Sequence, residues 1–518
     1  MKKVKLSSVF TALLVSVSIA LTGCAHSEEI QQDEQTGEAT VQQEQSSDTS
    51  ADSGEQTSAT QKEQSTSAAA QEEQTSETIG SEEQTSETVS SEEQTAATAA
   101  TTTITAAPTT TATTTTAAAT TTTTTTTTTK PAAATTTAAV TTTTTAAATT
   151  TKQEQQPPAS STAGVAEIRN MTTMQLVHDM GQGINLGNTL ESCGDWINSS
   201  GGVRAYETAW GSPAITKQMI QGYADLGFGV LRIPVAWSNL MAADYTISQE
   251  LMDRVKQIVD WTLESGMYAI VNIHWDGGWF EKFPTDYDEC MKKYTRIWEQ
   301  ISKTFRNYGD KLMFESLNEE GAWDSVWNRY SGSGDKAKAY GILNDMNQQF
   351  VNIVRASGGN NIGRHLLIAG YNTDITLTCD SQFKMPNDPS GRCAVSVHYY
   401  TPATFCLLDK DESWGKAKET WGTDGELKEL QKNMNQLKTT FIDKGIPVII
   451  GEYSVAAKGN KEKAQIENFM VTVTEAIFNI GACPVIWDVQ KDHYNRSTCQ
   501  FIYPDMLKRI MDIKASHA

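Results

Sequence analysis

Between Gly183 and the C-terminus, eight short apolar runs alternate with longer amphipathic stretches, and this alternation restricts the fold more than any other property of the chain. The runs span Gly183 to Gly187, Val230 to Val235, Tyr268 to His274, Leu312 to Leu317, Leu366 to Gly370, Ala394 to His398, Val448 to Gly451 and Val485 to Asp488. Their length and β-branched content predict buried strands. Between most of them the apolar period becomes helical, over Ile215 to Leu226, Gln249 to Ser265 after the cap-like Ser248, Tyr287 to Tyr308, Lys336 to Ala356, Glu426 to Lys444 and Lys461 to Asn479. Strand followed by helix, repeated, builds a parallel sheet, and eight repeats let the sheet close on itself. The predicted fold class is therefore α/β, a (β/α)8 or TIM barrel. The weakest unit is the fifth, because Asp374 to Arg392 lacks helical periodicity, and the last helix, Asp505 to Ala515, is short.

The barrel does not need the whole of the 518 residues. Residues 1–24 carry Lys2, Lys3 and Lys5, then an apolar run from Val9 to Leu21, then Leu21-Thr22-Gly23-Cys24, the pattern of a secretion signal. The last four residues resemble the lipobox of bacterial lipoproteins, which implies lipidation at Cys24 and an extracellular, cell-surface protein anchored to the bacterial membrane by acyl chains. The plainer alternative is an ordinary signal peptide with an incidental cysteine. Residues 25–164 are first rich in Glu, Gln, Ser and Thr, with a ten-residue repeat starting at Gln71, Ser81 and Ser91, and then form a Thr/Ala tract from Ala96 to Thr151 that closes at Pro157-Pro158. So little aliphatic content cannot bury a core, and threonine is a poor helix former, so a long disordered low-complexity stalk is predicted. A flexible coil of this length averages on the order of 65 Å end to end. The globular domain is then 165–518.

Charge and cysteines narrow the chemistry. Most of the formal charge of −21 sits in residues 25–165, where 19 acids oppose Lys62, Lys130 and Lys152, and the domain itself carries −8. It therefore lacks the basic face that nucleic acid would need. Besides Cys24 there are seven cysteines (Cys193, Cys290, Cys379, Cys393, Cys406, Cys483 and Cys499), odd in number and without CxxC spacing. Neither a zinc site nor a complete disulfide framework follows, and HExxH and phosphate-loop motifs are lacking. No metal and no cofactor is expected, and the protein is expected to be a monomer.

Two of the strands stop at a glutamate. Leu312-Met313-Phe314-Glu315-Ser316-Leu317-Asn318-Glu319-Glu320 ends in an amide and a carboxylate, and Pro447-Val448-Ile449-Ile450-Gly451-Glu452-Tyr453 reaches Glu452. Parallel strands bring their C-terminal ends to one face, so Glu319 and Glu452 are predicted to oppose each other across the barrel mouth. Paired carboxyls in a cleft suit glycoside hydrolysis, one protonating the leaving oxygen while the other attacks or activates water. The remaining strand ends carry Asn185 and Asn188, Arg232, His274, Asn318, His398 with Tyr400, and Trp487. Singly, each has a bland alternative: a glutamate after a strand can be a solvated loop residue, a histidine or tryptophan a core residue.

From Met180 to Val489 the chain resembles glycoside hydrolase family 5, the retaining cellulases. That family's functional set is an arginine on strand two, a histidine on strand three, an Asn-Glu pair ending strand four, a His-x-Tyr on strand six, a glutamate ending strand seven and a tryptophan on strand eight. Arg232, His274, Asn318, Glu319, His398, Tyr400, Glu452 and Trp487 match it in order. Gly183-Ile184-Asn185-Leu186-Gly187-Asn188-Thr189 and Glu207-Thr208-Ala209-Trp210-Gly211 further resemble a bacterial endoglucanase subfamily that includes xyloglucan- and mixed-linkage-glucan-degrading enzymes. Two departures stand out: the common Asn-Glu-Pro is Asn318-Glu319-Glu320, which adds a charge beside the acid, and the common His-His is His274-Trp275.

The resemblance implies an endo-acting retaining β-1,4-glucan hydrolase, with Glu319 as acid/base and Glu452 as nucleophile. Sugar contacts are expected from Arg232, His274, Asn318, His398, Tyr400, Trp487, Asn185, Trp275 and Trp279. Residue chemistry agrees in part: a buried Arg232 needs a carboxylate partner, Glu452 is the candidate, and the cation would keep it ionised. Glu319, facing that charge, would be pushed towards its protonated form. Trp196, Trp210, Trp237, Trp275, Trp279, Trp323 and Trp327 suggest an open cleft, with core packing as the alternative for each. The expected partner is a β-glucan polysaccharide. Rival readings are a xyloglucan, mixed-linkage glucan or mannan hydrolase, and a non-catalytic sugar-binding surface lipoprotein, which would need no opposed carboxyls.

Overall fold

The structure, a computed structural model, describes residues 166–456, 459 and 461–518. The signal, Cys24 and the stalk lie outside the described residues. Eight parallel strands form a closed barrel in sequence order: β1 (Gly183–Asn185), β2 (Val230–Ile233), β3 (Tyr268–Asn272), β4 (Leu312–Glu315), β5 (Leu366–Ala369), β6 (Cys393–Tyr399), β7 (Val448–Tyr453) and β8 (Cys483–Ile486). Around it lie α2 (Lys217–Asp225), α3 (Gln249–Glu264), α4 (Tyr287–Thr304), α5 (Lys336–Ala356), α6 (Asp424–Thr440), α7 (Lys463–Asn479) and α8 (Pro504–Ser516). The predicted strands and helices are all present. Caps set several helix starts, such as the reciprocal bonds of Thr423 and Glu426 that open α6. The fifth unit has only a single turn, Ile375–Thr378, as its missing periodicity predicted. The seven cysteines are free thiols. Among the described residues no helix is long and apolar enough to cross a membrane.

Strand alternation explains where the site sits. In a strand buried on both faces, every second residue points into the barrel. At the N-terminal ends this interior set is apolar, with Val230, Ile270, Met313, Leu367, Ile449 and Val485 in one cluster. A short helix ahead of the barrel, α1 (Thr173–Met180), is held by a Thr172–Gln175 capping box and adds Leu176, Val177 and Met180 to that cluster as a plug. No helix was predicted there, because eight residues are too few for a periodicity to stand out. One interior position further along, five of the eight strands turn polar, with Asn185, Arg232, Asn272, Glu315 and Ser396 all fully buried.

Strand β7 breaks the alternation at a useful place. Val397 pairs with Ile450 but His398 pairs with Glu452, so Gly451 is an extra residue, a bulge that turns the next side chain inward. Glycine suits it, since a Cβ there would lie 3.0 Å from Ser396 Oγ and 3.2 Å from His398 Nε2.

Candidate active site

Arg232 is the hub of the polar layer. Its Nε donates to Glu315 Oε2 at 2.7 Å, Nη1 to Glu452 Oε1 at 2.7 Å and to Asn185 Oδ1 at 3.0 Å, and Nη2 to Asn318 Oδ1 at 2.8 Å. Burial opposes the guanidinium charge, but Glu315 and Glu452 outweigh it and hold the pKa above that of an ordinary arginine. Glu315 is itself buried and takes a second bond, 2.7 Å, from Ser396 Oγ. A guanidinium can only donate, so Asn318 must turn its carbonyl to Arg232 and its amide nitrogen towards the cleft.

Glu452 is held on both oxygens, its Oε2 accepting from the Tyr400 hydroxyl at 3.0 Å. Burial pushes its carboxyl above the usual carboxylate range, His398 and Arg232 draw it back, and Glu319 adds to the rise. The sequence predicts that the Arg232 cation dominates and lowers this pKa; burial outweighs it instead, because the bulge places Glu452 in the polar layer out of water. Glu319 is less enclosed, its side chain 29% exposed against 6% for Glu452. His398 lies between them, Nδ1 being 2.8 Å from Glu319 Oε1 and 3.6 Å from Glu452 Oε2. One oxygen of each carboxylate and one His398 nitrogen all lie within 4.8 Å of one another. That spacing would also suit a metal ion, although no metal motif is legible in the sequence. His398 Nδ1 is already engaged with Glu319, and Glu452 with Arg232 and Tyr400, so the trio is better built for sharing protons.

Trp487 and His274 close the other side with parallel rings, 7° apart in tilt and 5.7 Å between centroids. Burial, Arg232 and His398 lower the His274 pKa well below its ordinary value and keep it neutral. Asn272 Oδ1 accepts from Val235 N, so its amide nitrogen donates to His274 Nδ1 at 3.3 Å, leaving the ring proton on Nε2. Next to the acid position, Glu320 joins the same cavity, and burial first, then Glu281 and Glu319, drive its carboxyl well above the usual range. The cavity, about 480 Å³, is lined by Trp275, Glu281, Asn318, Glu319, His398 and Tyr400 among others.

Several expected sugar contacts belong elsewhere. Asn185 and Arg232 are fully buried and have no surface to offer a sugar. Asn185 instead donates to Gly451 O at 2.8 Å, bracing the bulge, while its carbonyl holds Arg232. Trp279 is packed in the core, its ring 3.9 Å from Phe280 and its indole N–H on Asp276. Trp237 is likewise core, and Trp323 and Trp327 are mostly buried, whereas Trp196 is 63% exposed. Glu315, Ser396 and Asn272 were missed. A charge inside the apolar Leu312 to Leu317 run was the signal for Glu315, because a buried cation demands such a partner.

Comparison with known proteins gives the same picture. Residues 191–493 match the family model for cellulase, glycosyl hydrolase family 5. A xyloglucan-specific endo-β-1,4-glucanase of Bacteroides ovatus is 34% identical over 342 residues, covering 62% of this chain, which in turn spans 66% of that protein. Endoglucanase A of Paenibacillus barcinonensis is 32% identical, over 63% of this chain and 84% of its own length. Among solved structures, a broad-specificity endoglucanase from an uncultured bovine rumen ciliate superposes with a TM-score of 0.61 at 34% identity, covering 67% of this chain and 99% of that one. A family 5 lichenase of Caldicellulosiruptor in complex with cellotetraose gives a TM-score of 0.61 at 31% identity, covering 67% and 97%. With this barrel, this polar layer and these relatives, the chain belongs to the cellulase family, glycosyl hydrolase family 5, and is a glycoside hydrolase of the endo-acting β-glucan type.

Proposed function

We propose that the enzyme cleaves β-1,4-glucans by double displacement, with Glu452 as nucleophile and Glu319 as acid/base. The carboxylate spacing within 4.8 Å carries this reading, since retaining glycosidases hold the two groups ~5 to 5.5 Å apart and inverting ones leave room for a water, ~6.5 to 9.5 Å. Glu452 bonds the anomeric carbon as the glycosidic C–O bond breaks, and the Glu319 proton goes to the leaving oxygen. Water then attacks the same carbon, gives its proton to Glu319, and frees Glu452. Asn318 presents its amide nitrogen to the sugar, and Trp487 supplies the ring beneath it. Two inversions retain the β-configuration, so an NMR time course on cello-oligosaccharide should show the β-anomer first. Initial α-anomer would overturn the assignment.

The acid limb of the rate profile follows from the Glu452 environment. The nucleophile must be ionised, and burial raises its pKa. Turnover is therefore lost as pH falls through that raised value, so the limb in kcat/KM is expected above the ordinary glutamate value of 4.5. A limb at or below it would mean that Arg232 and His398 prevail.

Xyloglucan and the substrate of a lichenase are candidates because relatives are named a xyloglucan-specific endo-β-1,4-glucanase and a lichenase, and reducing-sugar release by residues 165–518 across a panel of soluble polysaccharides ranks them. Attachment through a lipidated Cys24 is supported by Leu21-Thr22-Gly23-Cys24. Cys24→Ser should release active enzyme to the medium, and retention in the membrane fraction would count against the anchor.

A further inference from the structure

The described residues expose two large aromatic rings widely, Trp196 and Tyr330, and Tyr330 more so, at 72%. Tyr330 stands on the loop between β4 and α5. It is no loose side chain. Asn328 Oδ1 accepts from the backbone N–H of Tyr330 at 3.1 Å and of Ser331 at 2.8 Å, and Trp327 pairs with Gly334 to close the loop. Arg329 lies over the ring at 4.9 Å and donates to the phenol oxygen at 2.8 Å. Arg329 is braced in turn by Asn372 Oδ1 at 3.2 Å and by Asp374 at 3.5 Å. Asn372 also donates its amide to the backbone oxygen of Glu319 at 2.7 Å. An unbroken chain of bonds therefore runs from the backbone of the proposed acid to an exposed ring.

The ring lines the cavity that also holds Asn318, Glu319, His398, Tyr400 and Trp275, and that cavity runs from these residues along the β4 and β5 loops to Arg329 and Asp374, with Glu452, Arg232 and Trp487 outside its lining. On the double-displacement reading, the glycosyl group that Glu452 attacks lies over Trp487, and the departing chain leaves on the side of Glu319. We propose that Tyr330, held by Arg329, is a platform for a glucosyl residue of the departing chain, a binding subsite on the acid's side of the cleaved bond. A pyranose ring presents an apolar C–H face that an aromatic ring can cover, with its hydroxyls left to bond Arg329, Asp374 or Glu281 at the rim. Because the loop is already cross-braced, little side-chain freedom is lost when sugar binds.

The test compares substrates that do and do not reach the ring. Dinitrophenyl cellobioside has no sugar beyond the cleaved bond, whereas cellohexaose does. In Tyr330→Ala the ratio of kcat/KM for cellohexaose to that for dinitrophenyl cellobioside should fall roughly five- to tenfold, as expected for one lost stacking contact. Tyr330→Phe keeps the ring and should keep most of the ratio. Cellohexaose labelled at its reducing end should also be cut by the Ala variant to give shorter departing fragments. An unchanged ratio and cutting pattern would overturn the subsite, as would an equal loss on both substrates, which would mean that the ring acts through the fold. Calorimetric binding of cellohexaose to Glu319→Gln, with and without Tyr330→Ala, reads the same contact without turnover. A weakening there stands even if the assigned catalytic roles fail.

Discussion

Glu452→Ala should be inert towards every β-glucoside, however good its leaving group, with kcat down on the order of 10⁵-fold or more, because the atom that would bond the sugar is gone. Glu319→Ala should lose only proton transfer, roughly 10²- to 10⁴-fold on glucan. The structure sharpens this contrast. Glu452 is fixed by Arg232 and Tyr400 and nearly closed to solvent, so no water can take its place as an oriented nucleophile. Glu319 is open enough for an exogenous anion to enter once its side chain is removed. Dinitrophenolate needs no proton, so Glu319→Ala should form the glycosyl-enzyme from dinitrophenyl cellobioside and then stall for want of a base. Azide needs none and should restart turnover, giving β-glycosyl azide. Azide rescue of Glu452→Ala to a β-product, with Glu319→Ala inert to activated substrates, would reverse the roles, and full activity in both would move the site.

Arg232→Gln should be the most damaging change to stability within the polar layer. The substitution leaves both Glu315 and Glu452 buried without their cation, a type of loss that typically amounts to about 3–5 kcal/mol. The pH dependence gives a signature that a simple packing defect lacks. Burial already raises the Glu452 pKa, and without the guanidinium it rises further above its unfolded value, so Glu452 binds its proton more tightly still in the folded state. The variant should then be most stable below the unfolded carboxylate range and lose stability as pH rises through the raised value, more steeply than the wild type does. Urea unfolding from pH 4 to pH 8 measures both quantities. Adding Glu315→Gln removes one of the two charges and should recover part of the loss. A difference below 1 kcal/mol with no slope against pH would show that the layer tolerates the missing cation, contrary to the role assigned to it.

Much of this was legible along the chain. Short β-branched apolar runs and period-3.6 patterning sufficed for the eight strands and the longer helices between them, because a barrel strand buried on both faces is apolar wherever it does not carry the site. The Glu319 and Glu452 positions were legible for the same reason, as charges ending apolar runs. Side-chain direction was not. Asn185 and Arg232 lie near strand ends, where a sequence cannot tell an open position from one an interior layer deeper, and Trp279 stands in the turn Asp276–Lys282 after β3. The tertiary structure decided that Asn185 and Arg232 face inward and scaffold the carboxylates, and that Trp279 packs on Phe280.

Fold class, family resemblance and the identity of the two opposed glutamates follow from local patterning and residue type, and so were readable along the chain. How those glutamates are tuned depends on the three-dimensional packing. Register brings Glu315, Arg232 and Glu452 from three different strands into one buried layer, and the Gly451 bulge sets which face Glu452 occupies. Such couplings join residues 83 and 220 positions apart, and at that separation closeness arises from closure of the sheet, which no local pattern encodes.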